Sequence, residues 1–64
     1  MSDEIVMMAY ATGHPGKIRK LCERLNIPAP YIKPGARKAT VQVFASHRIS
    51  QRRWDNAVAE MHAN

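Results

Sequence analysis

The sequence predicts a small α+β domain. Apolar residues recur at helical spacing along 15–25 and again from Trp54 to Met61, residues 39–45 alternate as a strand does, and a Pro-Gly pair precedes that strand. With 64 residues there is room for one domain. An apolar share of 45% is enough for a core rather than a disordered chain. A core this small rarely supplies more than ~3–5 kcal/mol. Cys22 is the only cysteine, so no disulfide adds to that. Self-association or a partner is therefore expected to help stabilise the fold.

The elements follow in order. Ser2 reads as a helix N-cap, with Asp3 and Glu4 in a first turn where they favour the helix dipole. Ile5, Met8, Ala9 and Thr12 then fit a helical period over 3–12, and Gly13 is placed to end it. Pro15 suits the first position of a second helix, which runs to Leu25 before Asn26 and Pro28 stop it. Two helices joined by so short a turn make a helix-turn-helix candidate. Residues 29–33 read as an extended edge segment restrained by Pro28 and Pro30. Pro34-Gly35 then has the signature of a type II turn. In 39–45, Val41, Val43 and Ala45 alternate with Thr40, Gln42 and Phe44. The two extended stretches are expected to pair as a hairpin. Ser50 is the N-cap of a last helix, Ile49 its staple against Trp54, and Trp54 with Ala57, Val58 and Met61 forms the buried face. The expected architecture is thus a small winged helix-turn-helix filling residues 1–64: helix, helix, two-stranded wing, C-terminal helix.

Charge is not spread evenly over this pattern. The chain carries a formal +5. Residues 1–13 sum to −2, residues 14–38 hold seven bases against Glu23 for +6, and residues 39–64 sum to +1. A concentrated basic block is the electrostatic footprint of a polyanion binder, although a solvated basic face has the same composition. At 100° per residue, Ile18, Leu21, Cys22 and Leu25 share one face of the second helix, while Lys17, Lys20 and Arg24 share the other with Arg19 on the flank. A helix lying in a major groove needs such a packed back and basic front. An ordinary amphipathic helix that happens to be basic has them too. Lys33, Arg37 and Lys38 fall near the hairpin tip, where they would grip backbone or simply keep an edge soluble. Arg52 and Arg53 open the last helix against its dipole, a placement that an anionic partner explains better than stability does.

Other chemistries find little support. So short a chain barely encloses its own core, and a catalytic pocket of ~300 Å³ needs walls as well, so no enzyme is expected. His14, His47 and His62 are far apart and none pairs with Cys22 at a metal-ligand spacing. Gly13-His14-Pro15-Gly16 matches no nucleotide-binding loop, so neither metal nor cofactor is expected. The longest apolar run, from Ile5 to Ala11, is far short of the ~20 residues that span a bilayer, so no membrane contact is expected. Asp3 and Glu4 do not suit a secretory leader, and one cysteine fits a reducing interior; cytoplasmic placement is the expectation.

The run from Ala11 to Leu21, followed by Leu25-Asn26-Ile27-Pro28, resembles the helix-turn-helix of small winged-helix proteins of mobile elements. These are the Cox-type excisionase/repressors of temperate phages and the related MerR-like and AlpA-like regulators. Ile18-Arg19-Lys20 and Ile27-Pro28 stand where that group has an I/V-R-R/K step and an L/I-P stop, and Trp54-Asp55-Asn56-Ala57 resembles the opening of its last helix. Asn26 departs from the usual Gly, and residues 46–53 add sequence before Trp54. The resemblance implies a sequence-specific binder of double-stranded DNA that acts as recombination directionality factor, as transcriptional repressor, or as both. It implies self-association on DNA, with an integrase or a host protein as a further partner. On this reading Lys17, Lys20 and Arg24 face the major groove, Arg19 and His14 sit at its margin, and Lys33, Arg37 and Lys38 contact backbone or minor groove.

Two rival classes use the same bases. One is a small inhibitor or adaptor that docks on an acidic surface of a host nucleic-acid enzyme. The other is an RNA-binding protein, which wants exposed aromatics for stacking. The aromatics are Tyr10, Tyr31, Phe44 and Trp54, and at least two of them are expected to be buried.

Overall fold

The computed structural model describes residues 3–63. Strand β1 spans Met8–Gly13, helix α1 Pro15–Leu25, strand β2 Ala39–Phe44 and helix α2 Gln51–Ala63, with a short 3-10 turn at Ala45–His47. The domain is α+β, with α1 against one face of a two-stranded antiparallel sheet and α2 packed mainly on α1. The Ser2 cap lies outside the described residues.

The expected first helix is not present. Residues 8–13 form a strand that pairs with β2 from Met8↔Phe44 to Gly13↔Ala39. Both periods fit this stretch, because Met8, Tyr10 and Thr12 also alternate with Ala9 and Ala11. Long-range pairing decides between them. Val41 and Val43 give β2 a face that must be buried, and β1 supplies the ladder of donors and acceptors it needs. The hydroxyls of Thr12 and Thr40 meet at 2.8 Å across the pair. Farther along, the Val6 N–H donates to the Ile49 carbonyl at 2.8 Å and the Gln51 N–H to the Glu4 carbonyl at 2.7 Å. The partner numbers sum to 52 within β1–β2 and to 55 at the Ile5↔Ser50 bridge, so three residues bulge out of the ladder. Those residues are the 3-10 turn, which Arg48 closes in the left-handed region at φ 55°.

The expected wing is absent as well. Residues 29–33 form no strand, and β2 takes β1 as its partner instead. Pro30 removes an N–H donor from the segment and Pro28 another just before it, which makes it the poorer competitor for β2. The turn inside it does form: the Ala36 N–H donates to the Lys33 carbonyl at 3.0 Å, with Gly35 at φ 83°. It bends a loop of residues 26–38 and does not join two strands.

Both described helices sit where their end signals put them. His14 caps α1, its ring Nδ1 accepting the Gly16 N–H at 3.0 Å, and Pro15 follows at the first helical position. At the other end Asn26 is left-handed at φ 56°. Its N–H reaches the Glu23 carbonyl and that of Ile27 the Cys22 carbonyl, the paired bonds of a Schellman motif. For α2, Ser50 Oγ accepts the Arg53 N–H at 3.1 Å. Asp3, expected to favour the dipole of a helix of its own, accepts the Arg52 N–H of α2 through Oδ1 instead. Its charge therefore offsets the two arginines in that first turn.

The core lies between the sheet and the helices. Val6, Ala11, Val41 and Val43 face Ile18, Leu21, Cys22 and Leu25 of α1, with Ile49, Trp54, Ala57 and Met61 closing the remaining side. Trp54 is a core residue, as its apolar companions imply. Burial pushes the Cys22 thiol up from its ordinary value, which keeps it neutral and unreactive among apolar neighbours.

Candidate nucleic-acid interface

Lys17, Lys20 and Arg24 do form one row along α1, but the row borders α2 instead of standing opposite the packed face as the sequence reading expected. Leu21 packs inward, while Lys17, Lys20 and Arg24, at one-turn spacing, line one wall of a cleft of about 190 Å³. The opposite wall is Ala57, Glu60 and Met61 of α2. Lys17 is half-buried there, and Lys20 and Arg24 are exposed.

Arg24 is not free to read a base. Its guanidinium pairs with the Glu60 carboxylate across the seam, and both side chains remain about half exposed. Arg53 joins from α2, its Nη2 donating to the Arg24 carbonyl at 3.5 Å. A run of bases therefore follows the α1–α2 seam from Lys17 through Lys20 and Arg24 to Arg53. The sequence hinted at Arg53 through its unfavourable position in the first turn of α2. Nothing local signalled Glu60, because a pairing between distant helix positions leaves no short-range pattern.

The remaining predicted residues divide. Arg19 is exposed about 100° farther round α1, beside Glu23. Lys33, Arg37 and Lys38 are exposed on the 26–38 loop, away from the cleft lining. His14 is exposed, but its Nδ1 is taken by the helix cap, so its first duty is structural.

The aromatics correct a second expectation. Trp54 alone is buried, whereas Tyr31 is 86% exposed, Tyr10 70% and Phe44 44%. Tyr31 lies on the basic loop. Tyr10 and Phe44 lie on the outer face of the sheet, on the side away from the helices.

Among the described residues no group of three His, Cys, Asp or Glu is placed to hold a metal ion, and no helix is long and apolar enough to cross a membrane. Comparison with known proteins finds no family model, no curated protein and no solved structure that matches the chain.

Proposed function

We propose that this chain binds double-stranded DNA through the basic seam of α1 and the 26–38 loop, and acts by binding rather than catalysis. The support is the gathering of Lys17, Lys20 and Arg24 with Arg53 along one accessible seam, and the loop that follows α1 in the chain carries the further exposed bases Lys33, Arg37 and Lys38. Phosphates follow one another every ~3.4 Å of axis along a strand, a density that a row of cations set ~5.4 Å apart can meet. In the duplex reading α1 lies along the major groove with Lys20 foremost, Lys17 on its α2 side and Arg19 on the other flank. Arg24 has Glu60 to leave before it contributes.

The 26–38 loop takes the wing's duty of gripping the backbone without the wing's strand pairing. This is a departure from the winged arrangement that the sequence resembles. A role in excision or repression, with self-association on DNA and an integrase or host protein beside it, rests on that resemblance. Cytoplasmic placement belongs to the same reading.

Fluorescence anisotropy with a labelled duplex tests it, using the unlabelled duplex, a single strand of the same sequence and an RNA duplex as competitors. Duplex DNA should compete best. Lys17→Ala with Lys20→Ala should weaken binding at least tenfold while the far-ultraviolet circular dichroism stays that of the native chain. Equal competition by all three nucleic acids, or unchanged binding by the double variant, removes α1 as the reading element.

A further inference from the structure

We propose that the outer face of the β1–β2 sheet is a self-association surface, packing on the same face of a second copy of this chain. The inference does not depend on DNA binding. It begins with side chains that the fold leaves in water: Met8, Tyr10 and Thr12 on β1, and Thr40, Gln42 and Phe44 on β2. Met8 is 64% exposed and its cross-strand neighbour Phe44 44%. Met7, 74% exposed, and Ile5, 40% exposed, precede the strand along the chain.

Three large side chains of this face, Met8, Tyr10 and Phe44, at roughly 200 Å² each, leave on the order of 350 Å² exposed, and the exposed Thr12, Thr40 and Gln42 add to the area a partner can cover. A patch of this size is often functional. A two-stranded sheet covered on one side only is also a marginal element, and covering the second side stabilises it.

Charge selects the occupant. None of the six face residues is charged, in a chain that carries +5. A nucleic acid finds no cation there for its phosphates, and an acidic or basic protein finds no complement. A second copy, itself +5, approaches with least repulsion through its one neutral face, which leaves both α1 seams outward.

The register gives the pairing. A two-fold axis parallel to the strands, lying between two such faces, sets each β1 over the partner's β2 at equal height. Met8 then lies on the partner's Phe44, a sulfur–aromatic contact, and Tyr10 lies on the partner's Gln42. The Thr12–Thr40 pair uses one of its two hydroxyl donors internally, and the other is free to meet the matching pair of the partner.

Sedimentation equilibrium of the full chain without nucleic acid, across a micromolar to millimolar range, tests this. The expected result is a reversible rise from the 7.2 kDa monomer to twice that mass with a micromolar dissociation constant. Tyr10→Lys and, separately, Gln42→Lys should each raise that constant at least tenfold. Both positions are exposed, so circular dichroism should remain native. His62→Gln, on α2, should leave the constant unchanged. A chain that stays monomeric at millimolar concentration overturns the proposal, and so does a folded Tyr10→Lys variant that dimerises as well as the parent. Amide shifts at Tyr10 and Phe44 that respond to a single-stranded oligonucleotide and not to protein concentration also overturn it, in favour of a stacking surface.

Discussion

Arg24 and Glu60 close an ion pair over the α1–α2 seam, in the middle of the line of bases that defines the candidate interface. With 48% and 59% of the two side chains exposed, the pair contributes little to stability, ~0–1 kcal/mol. Its larger consequence is electrostatic, since it places a carboxylate among cations that would meet phosphate. Glu60→Gln should therefore lower stability by less than ~1 kcal/mol in urea denaturation. The same variant should tighten duplex binding by a factor of a few at low salt. Weaker binding would mean that Glu60 positions Arg24 rather than occupying it.

The bases of α1 should not be equivalent. Lys20→Ala should weaken binding by ~1–3 kcal/mol and relax preference at one base pair if it reads a base, or lower the salt slope by about one if it meets a phosphate. Arg24→Ala should cost less than Lys20→Ala, because in the free protein its charge is partly spent on Glu60. Titrations of both variants against matched and scrambled duplexes measure the difference. The opposite order would place Arg24 at the reading position.

His14 is an unusual cap, and its role is separable from DNA contact. His14→Ala removes the acceptor for the Gly16 N–H and should destabilise the fold by ~1 kcal/mol. His14→Asn supplies a side-chain oxygen at the same place and should restore most of that loss. Thermal melts of the two variants check it. Equal melting temperatures would show that the ring nitrogen adds nothing.

Cys22 predicts an alkaline loss of stability. Its thiol lies above the ordinary 9.0 when folded, raised by desolvation. The folded state thus keeps a proton that the unfolded chain releases. Stability from this group is complete below about pH 9 and falls as pH rises from there through the folded value. Denaturation midpoints of the parent should drop more steeply above pH 9 than those of Cys22→Ala, once their neutral-pH difference is subtracted. Parallel curves would contradict the assignment.

Sequence reading succeeded where the signal is local and failed where it is shared with a distant partner. Pro15, Asn26, Pro34-Gly35 and Ser50 each act on neighbouring backbone, so α1, its stop, the turn and the start of α2 were all legible. Residues 8–13 satisfy both periods, and only Val41 and Val43, some thirty positions later, make the strand the better solution. The wing failed for the same reason from the other side: 29–33 is extended in pattern but poor in donors, and β1 outcompetes it for β2. At the candidate site, the row of Lys17, Lys20 and Arg24 was legible because it lies on one helix. Its neighbour Glu60 was not, and Arg53 was hinted at only by its place in the first turn of α2, because tertiary packing alone brings α2 alongside.

The most direct test of the central claim is the salt dependence of duplex binding. Lys17, Arg19, Lys20 and the loop bases Lys33, Arg37 and Lys38 offer up to six phosphate contacts, and about five formed together give a slope of log K against log salt near −4 to −5. That slope should fall by about two when Lys17 and Lys20 are both replaced by Ala. A slope near zero, or one that the double replacement leaves unchanged, would contradict DNA binding through this seam.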